Sequence, residues 1–148
     1  DLKTDSLVEY YTNYGHNFVH FYNREKKINR NFHTIEKNIY SRYAYFFSLS
    51  GFPFETIKTL TFYTYMAEYG DALSMRATNI GKQAVTVKAG TFECYKLELS
   101  VAGWQSLFAP DVYYIYFTVA NPHHFIKYEE KEDDGKWSSD ELIQIINS

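Results

Sequence analysis

Cysteine is almost absent from this 148-residue sequence, in which Cys94 is the only one. A single cysteine excludes an internal disulfide and any zinc site built on cysteine pairs. Cys94 lies in a stretch where apolar and polar residues alternate, and a lone cysteine there usually serves as a small buried residue. A nucleophilic cysteine would need a nearby histidine and a depressed pKa, and the sequence shows neither. We therefore expect Cys94 to be buried and structural.

Long apolar runs and catalytic signatures are also missing. No stretch approaches the roughly 18 consecutive apolar residues of a membrane-spanning helix, so we expect no transmembrane segment. The sequence has no G-x-S-x-G elbow, no P-loop and no dinucleotide-binding fingerprint, so we expect no catalytic residues, no enzyme activity and no cofactor. The histidines lack the spacing of known zinc motifs, and we expect no metal site among them. They are His16, His20, His33, His123 and His124.

An excess of basic residues is lacking as well, since the formal net charge is −3. Broad affinity for nucleic acid needs a basic footprint, so we expect no nucleic-acid partner. The chain begins DLKTDSL, without an initiating Met and without the basic and apolar regions of a signal peptide. We expect that a leader has been removed from this start.

Aromatic residues, in contrast, are abundant: the chain has 15 Tyr, 12 Phe and 2 Trp. Aromatic side chains favour strands and bury large areas, while the tyrosine hydroxyl stays compatible with water. Such a composition is suited to a groove that is apolar yet wettable. It is equally consistent with tyrosine serving simply as a strand-forming core residue.

Alternation of apolar and polar residues predicts a mainly β protein. After a tight turn at Ala89–Thr91, the residues Tyr95, Leu97, Leu99 and Val101 fall on one face of a strand. The opposite face carries Cys94 and several polar residues, which predicts an antiparallel sheet with one buried and one partly wet face. The segment 112–119 is apolar on both faces and should be covered on both sides. The predicted strands are 6–12, 17–25, 29–33, 59–69, 72–81, 82–90, 92–101, 112–119 and 125–132.

One amphipathic helix is predicted over 34–50, where apolar residues recur at steps of three and four. Thr34 is a candidate N-cap, Gly51 can end the helix, and Pro53 prevents its continuation. The last segment fits two structures. The hairpin signal Asp134–Gly135 favours a return strand, which we prefer, whereas Ser138 and Glu141 also fit the capping box of a short helix.

Three stretches together resemble a bacterial family of unknown function that is related to the LolA/LolB-like periplasmic lipoprotein carriers. They are YSRYAYFFSLSGFPFE (40–55), GKQAVTVKAGTF (81–92) and YYIYFTVANPHHFIKYE (113–129). Gln83 stands where that family more often has an acidic residue, and Phe117 where it more often has Trp. The resemblance covers about residues 38 to 145.

This resemblance implies a strongly curved antiparallel sheet, a half-barrel, with the amphipathic helix packed in its concave face. It implies one LolA-like domain over 1–148, lacking some N-terminal strands of the family, in the periplasm or cell envelope. It further implies a lipid or other hydrophobic ligand held between sheet and helix. The candidate groove residues are Tyr63, Tyr65, Tyr95, Tyr114 and Tyr116, and the candidate lid residues are Tyr43, Phe46 and Phe47.

Two other functional classes stay open. The chain fits a structural or protein-interaction module without a ligand groove, whose sheet edge meets a partner or a second copy. An enzyme of an unrecognised type is the third class.

Overall fold

The computed structural model describes the backbone of residues 8–13, 18–23, 28–33, 39–41, 44–66, 71–107, 111–131 and 134–144. Side chains are described within 46–64, 72–107, 111–131 and 134–144. The predicted N-cap Thr34 and the predicted lid residue Tyr43 lie outside the described residues, and Tyr65 is described through its backbone alone.

The described chain forms two β-sheets and one short α-helix, so the predicted mainly β character is confirmed. The smaller sheet is an antiparallel meander of three strands that follow one another in the sequence. These strands match the three predicted at the N-terminal end. They are β1 (Val8–Asn13), β2 (Phe18–Asn23) and β3 (Ile28–His33).

The larger sheet has seven strands in the order β10-β9-β8-β7-β6-β5-β4, so each strand pairs with its neighbour in the sequence. Six strands are antiparallel, and β4 joins the edge beside β5 in parallel. The sheet is open, with β4 and β10 as its outermost described strands. Its strands are β4 (Ile39–Ser41), β5 (Thr59–Met66), β6 (Asp71–Val87), β7 (Gly90–Val101), β8 (Val112–Thr118), β9 (Phe125–Lys131) and β10 (Trp137–Glu141).

Strand β7 shows the predicted alternation. Tyr95, Leu97, Leu99 and Val101 are all buried. The intervening residues Lys96, Glu98 and Ser100 are half-buried, whereas Cys94 is fully buried. The turn before the strand is where the sequence placed it, and Gly90 has a φ of 134°, which side-chain-bearing residues rarely adopt. We call the face that bears Leu97 the first face of the sheet and the face that bears Cys94 the second face.

Each face of the sheet buries its own apolar cluster. The first face carries the larger cluster, in which Leu97, Leu99 and Ile115 have no exposed surface. The second face carries a smaller cluster around Cys94 and Ile126. Strand β8 contributes to both, and Ile115 to Thr118 are consecutively buried, as predicted for a strand covered on both sides.

The strand register is irregular at two places, and each irregularity changes which residues lie on which face of the sheet. In β9 the register against β8 shifts between Tyr116 and Phe117, which leaves Ile126 as an extra residue. Ile126 joins the cluster on the second face, whereas Phe125 beside it packs on the first. In β6 the register shifts between Asn79 and Gly81, so the predicted strands 72–81 and 82–90 are one long strand with a bulge.

The predicted helix over 34–50 is wrong in its first part. Ile39–Ser41 forms strand β4, and the helix α1 extends only over Ala44–Leu49. The β4 backbone pairs with Tyr63–Tyr65, so hydrogen bonding to the sheet edge overrides the helical spacing of the apolar residues. The chain leaves the helix through a turn at Ser50 and Gly51, where the sequence predicted its end.

The C-terminal segment forms a strand, which confirms the return strand predicted after Asp134–Gly135. β10 pairs antiparallel with β9 after a turn in which Gly135 has a φ of 81°. Beyond β10, the Leu142 amide donates to Ile126 O, and Leu142 O accepts from the Ala89 amide. The first bond ties the segment after β10 to β9, and the second ties it to the tip of the β6–β7 hairpin.

Candidate functional site

The segment 44–58, which we call the cover segment, brings aromatic side chains onto the first face. It consists of α1 and the loop that leads to β5. Leu49, Phe52 and Phe54 from this segment are buried and belong to the larger cluster. Within the described chain, the cover segment therefore shields the part of the apolar first face around Tyr95.

The loop of the cover segment is held by backbone hydrogen bonds. The amides of Thr56 and Ile57 both donate to Pro53 O at 3.0 Å, which closes a tight turn. Asn79 anchors this turn to the bulge of β6, because its amide donates to Lys58 O at 2.8 Å and its side-chain Nδ2 donates to Phe54 O at 3.2 Å. Asn79, which flanks the β6 bulge, thus attaches the loop to the sheet.

A stacked pair of rings lies at the centre of the site. The Phe54 ring is parallel to the Tyr95 ring within 8°, and the ring centroids are 4.3 Å apart. His123 meets Phe54 edge-on with ring centroids 4.9 Å apart, and the Phe52 ring is tilted by 50° at a centroid distance of 5.1 Å. The His123 Nδ1 donates to Thr118 O at 2.7 Å, which fixes the orientation of the imidazole ring. Phe54 is therefore surrounded by aromatic rings and is only 7% exposed.

A polar contact closes the outer side of this stack. The Tyr95 hydroxyl donates to Glu55 Oε1, and the Lys82 Nζ lies 3.7 Å from the same oxygen. Lys82 also sits over the Tyr95 ring, with its Nζ 4.9 Å from the centroid. The ion pair faces solvent, because the Glu55 side chain is 75% exposed and that of Lys82 is 45% exposed. We call the group formed by Glu55, Tyr95 and Lys82 the polar latch.

The polar latch shifts the pKa values of its members in the directions that hydrogen bonding and charge require. The hydrogen bond from Tyr95, aided by the positive charge of Lys82, lowers the pKa of Glu55. The same bond raises the pKa of the Tyr95 hydroxyl, because the nearby carboxylate disfavours a second negative charge. Tyr95 and Glu55 together raise the pKa of Lys82. Glu55 is therefore held ionised at neutral pH.

The helix of the cover segment makes a second aromatic contact with the sheet. Phe46 meets Tyr128 edge-on, with ring centroids 5.0 Å apart, and Tyr128 stacks on Tyr113 at 6.1 Å. The Tyr128 hydroxyl donates to Glu130 Oε2 at 2.8 Å. Phe47, the next residue of the helix, is 82% exposed. Of the two predicted lid phenylalanines with described side chains, only Phe46 contacts the sheet.

The second face carries a different arrangement, in which tyrosines and charged residues alternate. Lys96 lies over the ring of Tyr114, with its Nζ 4.1 Å from the centroid. The Tyr116 hydroxyl donates to Glu129 Oε2 at 2.7 Å, and the Lys127 Nζ lies 2.8 Å from Glu129 Oε1. These bonds satisfy the polar atoms of a surface that is only partly exposed to water.

Burial and hydrogen bonding act in opposite directions on this second-face network. Burial alone raises the pKa of Glu129, but hydrogen bonds from Lys127 and Tyr116 outweigh it, so the pKa lies below its ordinary value. Burial and the Glu129 carboxylate together raise the pKa of Tyr116. The network therefore keeps a charged carboxylate and a neutral tyrosine side by side.

Cys94 has no exposed surface, which confirms that it is a buried residue. Burial raises the pKa of its thiol to about 11. A thiol with such a pKa is protonated at neutral pH, which suits a packing role better than nucleophilic chemistry. Its Sγ lies 3.6 Å from Phe92 O, its own strand's backbone.

The structure does not bring the predicted groove residues together. Tyr95 lies on the first face beneath Phe54, whereas the strand register places Tyr63, Tyr114 and Tyr116 on the second face. Tyr116 is buried, and Tyr63 and Tyr114 are half-buried. That these residues bind a hydrophobic ligand stays a prediction.

Sequence reasoning did not single out the residues that surround Tyr95. Phe52, Phe54 and Glu55 lie in the stretch GFPFE, which the sequence analysis uses as a helix stop and as part of the family resemblance but not as part of the groove. Two aromatic residues around a proline are a signal for a fixed, apolar turn, because proline restricts φ and the rings need burial. Lys82 lies directly opposite Tyr95 in the β6–β7 hairpin, so pairing the two strands across their turn could have identified it.

Comparison of the chain with protein-family models, with curated proteins and with solved structures gave no match in any of the three. The resemblance to LolA/LolB-like proteins therefore stays a prediction. Within the described ranges, no helix is long and apolar enough to span a membrane. Among the side chains that the structure describes, no three potential metal ligands of the His, Cys, Asp or Glu type come together.

Proposed function

We propose that the protein is a non-enzymatic binder of a lipid or another hydrophobic ligand, held between the first face and the cover segment. In this proposal the sheet is strongly curved and the cover segment lies in its hollow as a movable lid. The periplasmic or cell-envelope location is part of the same proposal and rests on the LolA/LolB-like resemblance. The observation that carries the proposal is an apolar sheet face shielded by a short, separately anchored aromatic segment.

The cover segment is suited to displacement because little regular structure holds it. Its helix has six residues, and a helix this short has little stability of its own in water. The loop depends on the Asn79 hydrogen bonds and on the solvent-exposed polar latch. Exposed ion pairs contribute little, so most of the attachment comes from the burial of its apolar side chains.

The size of this burial sets the size of the ligand. Exposing one large apolar side chain costs about 1.5–3 kcal/mol, so lifting Leu49, Phe52 and Phe54 costs about 5–9 kcal/mol. Burying one methylene returns about 0.8 kcal/mol, so an acyl chain of roughly six to eleven methylenes offsets that loss. We therefore expect measurable binding of long acyl chains and none of short ones.

Two measurements test the proposal. Native mass spectrometry of the purified protein should show co-purified lipid that organic extraction removes. The extracted protein should enhance the fluorescence of the neutral probe N-phenyl-1-naphthylamine, and long-chain fatty alcohols should displace the probe while short-chain alcohols do not. A protein that carries no lipid and fails to enhance the probe's fluorescence would exclude this function.

A second candidate function is a structural or protein-interaction module. The observation that favours it is the close packing of Leu49, Phe52 and Phe54, which are 3%, 3% and 7% exposed and fill the first face as an ordinary core would. In that case the first face binds nothing, and a partner or a second copy meets the sheet at an edge such as β10. A stoichiometric protein partner in a pull-down, together with a lipid-free first face, would favour this function.

A further inference from the structure

The polar latch points to the chemical class of the ligand. We propose that the ligand is an anionic amphiphile, an apolar body that ends in a carboxylate, and that its carboxylate takes the place of the Glu55 carboxylate on Tyr95 and Lys82. This inference rests on the proposed function and names the ligand of that same site. The inference rests on Phe54 and Glu55, which are adjacent in the chain and place an aromatic ring and a carboxylate together on Tyr95.

The chain itself presents the features of such a ligand. Phe54 places an apolar ring flat on the Tyr95 ring, and the next residue, Glu55, places a carboxylate against the Tyr95 hydroxyl and the Lys82 ammonium. An amphiphile with a carboxylate head can make both contacts at once, its tail replacing the rings and its head replacing Glu55. The cover segment thus occupies the site as an internal competitor.

The charges around the head position select its sign. When Glu55 leaves, the Tyr95 hydroxyl loses its acceptor and the Lys82 Nζ loses its paired carboxylate. The more distant charge of Glu93 remains near Lys82. A carboxylate ligand restores both interactions, since charge-assisted hydrogen bonds are stronger than neutral ones. A neutral alcohol restores only a hydrogen bond to Tyr95. An ammonium head is repelled by Lys82, which lies at the margin of the apolar surface.

The accessibility of the latch makes this exchange feasible. Glu55 and Lys82 form a solvent-facing pair, so a dissolved carboxylate reaches Lys82 without crossing the core. The buried part of the site, around Phe54, becomes available only when the loop moves. Head recognition at the surface therefore precedes tail burial, and the latch is the first contact of the ligand.

The experiment compares three probes with the same twelve-carbon chain, namely laurate, dodecanol and dodecylammonium. Their affinities are measured from displacement of N-phenyl-1-naphthylamine on the lipid-extracted full chain. We expect laurate to bind about three- to tenfold more tightly than dodecanol, and dodecylammonium most weakly. Lys82→Met should remove the preference for laurate over dodecanol, while the matched variant Lys88→Met, in the exposed β6–β7 turn, should keep it.

A second variant tests the competition directly. Glu55→Gln removes the internal carboxylate and should tighten laurate binding by about threefold. Equal affinities for laurate and dodecanol, unchanged by Lys82→Met, would overturn the carboxylate assignment while leaving hydrophobic binding intact. Failure of all three probes to bind would instead overturn the proposed function, and the assignment with it.

Discussion

The contribution of Phe54 to stability is the prediction that the structure defines best. Phe54 is 7% exposed and contacts Phe52, Tyr95, Phe117 and His123 with its ring. Truncation of a buried phenylalanine to alanine costs about 3–5 kcal/mol, and a stacked pair accounts for about 1 kcal/mol of this. Because Phe54 lies in a loop that can partly collapse into the space, we expect Phe54→Ala to lower the free energy of unfolding by about 3 kcal/mol.

Phe47→Ala is the matched control. Phe47 lies in the same cover segment and is 82% exposed, so its truncation should change the free energy of unfolding by less than about 0.5 kcal/mol. The assay is urea unfolding followed by far-UV circular dichroism. The wild type and both variants should share the same slope of unfolding free energy against urea concentration. If the two variants lose the same stability to within about 0.5 kcal/mol, Phe54 is not packed on Tyr95 and the described site is wrong.

Three further predictions concern the rest of the described chain. The Cys94 thiol, with a pKa raised to about 11, should react with a thiol reagent at pH 8 only after denaturation, and rapid modification of the native protein would contradict its burial. Gly90→Ala places a side chain at a φ of 134° and should cost about 1–3 kcal/mol in the unfolding assay; a neutral effect would argue against this turn geometry. Glu129 has a lowered pKa, so its stabilising effect is complete above its ordinary pKa and is lost as the pH falls through the lower value of the folded state. In Glu129→Gln, the free energy of unfolding should fall less than in the wild type as the pH is lowered. The same fall in both proteins would show that Glu129 does not contribute.

The β strands were predictable because their alternation is local. Leu97, Leu99 and Val101 recur at every second position, and burial of one sheet face requires that spacing. The turn before β7 was predictable because few residues other than glycine adopt the φ of Gly90. These features depend on a few neighbouring residues, so the sequence alone carries them.

The assignment of side chains to a common face was not predictable in the same way. Tyr95, Tyr114 and Tyr116 each alternate with their neighbours, but the register between β7 and β8 decides that Tyr95 shares a face with Phe117 and not with Tyr116. The bulge at Ile126 further reverses the alternation within β9. Register and bulges depend on pairing between distant strands, which hydrophobic periodicity does not encode.

The helix prediction failed in part for a related reason. Ile39 and Phe46 lie at a spacing that fits a helical face, yet Ile39 belongs to a strand at the sheet edge. The spacing is real, but parallel pairing with Tyr63 satisfies the backbone of this part of the chain. Tertiary hydrogen bonding of this kind outweighs helix propensities of a few tenths of a kcal/mol per residue, on the order of the differences among ordinary residues.

Hydrogen exchange of the cover segment, with and without laurate, tests most directly the claim that a ligand replaces this segment on the first face. The reporter is the Asn79 amide, whose hydrogen bond to Lys58 O attaches the loop to β6, together with the amides of Thr56 and Ile57. We predict that laurate accelerates exchange at these three amides while the amide of Leu97, in the centre of the sheet, stays protected. Unchanged or slower exchange at all three, with laurate bound, would contradict displacement of the cover segment.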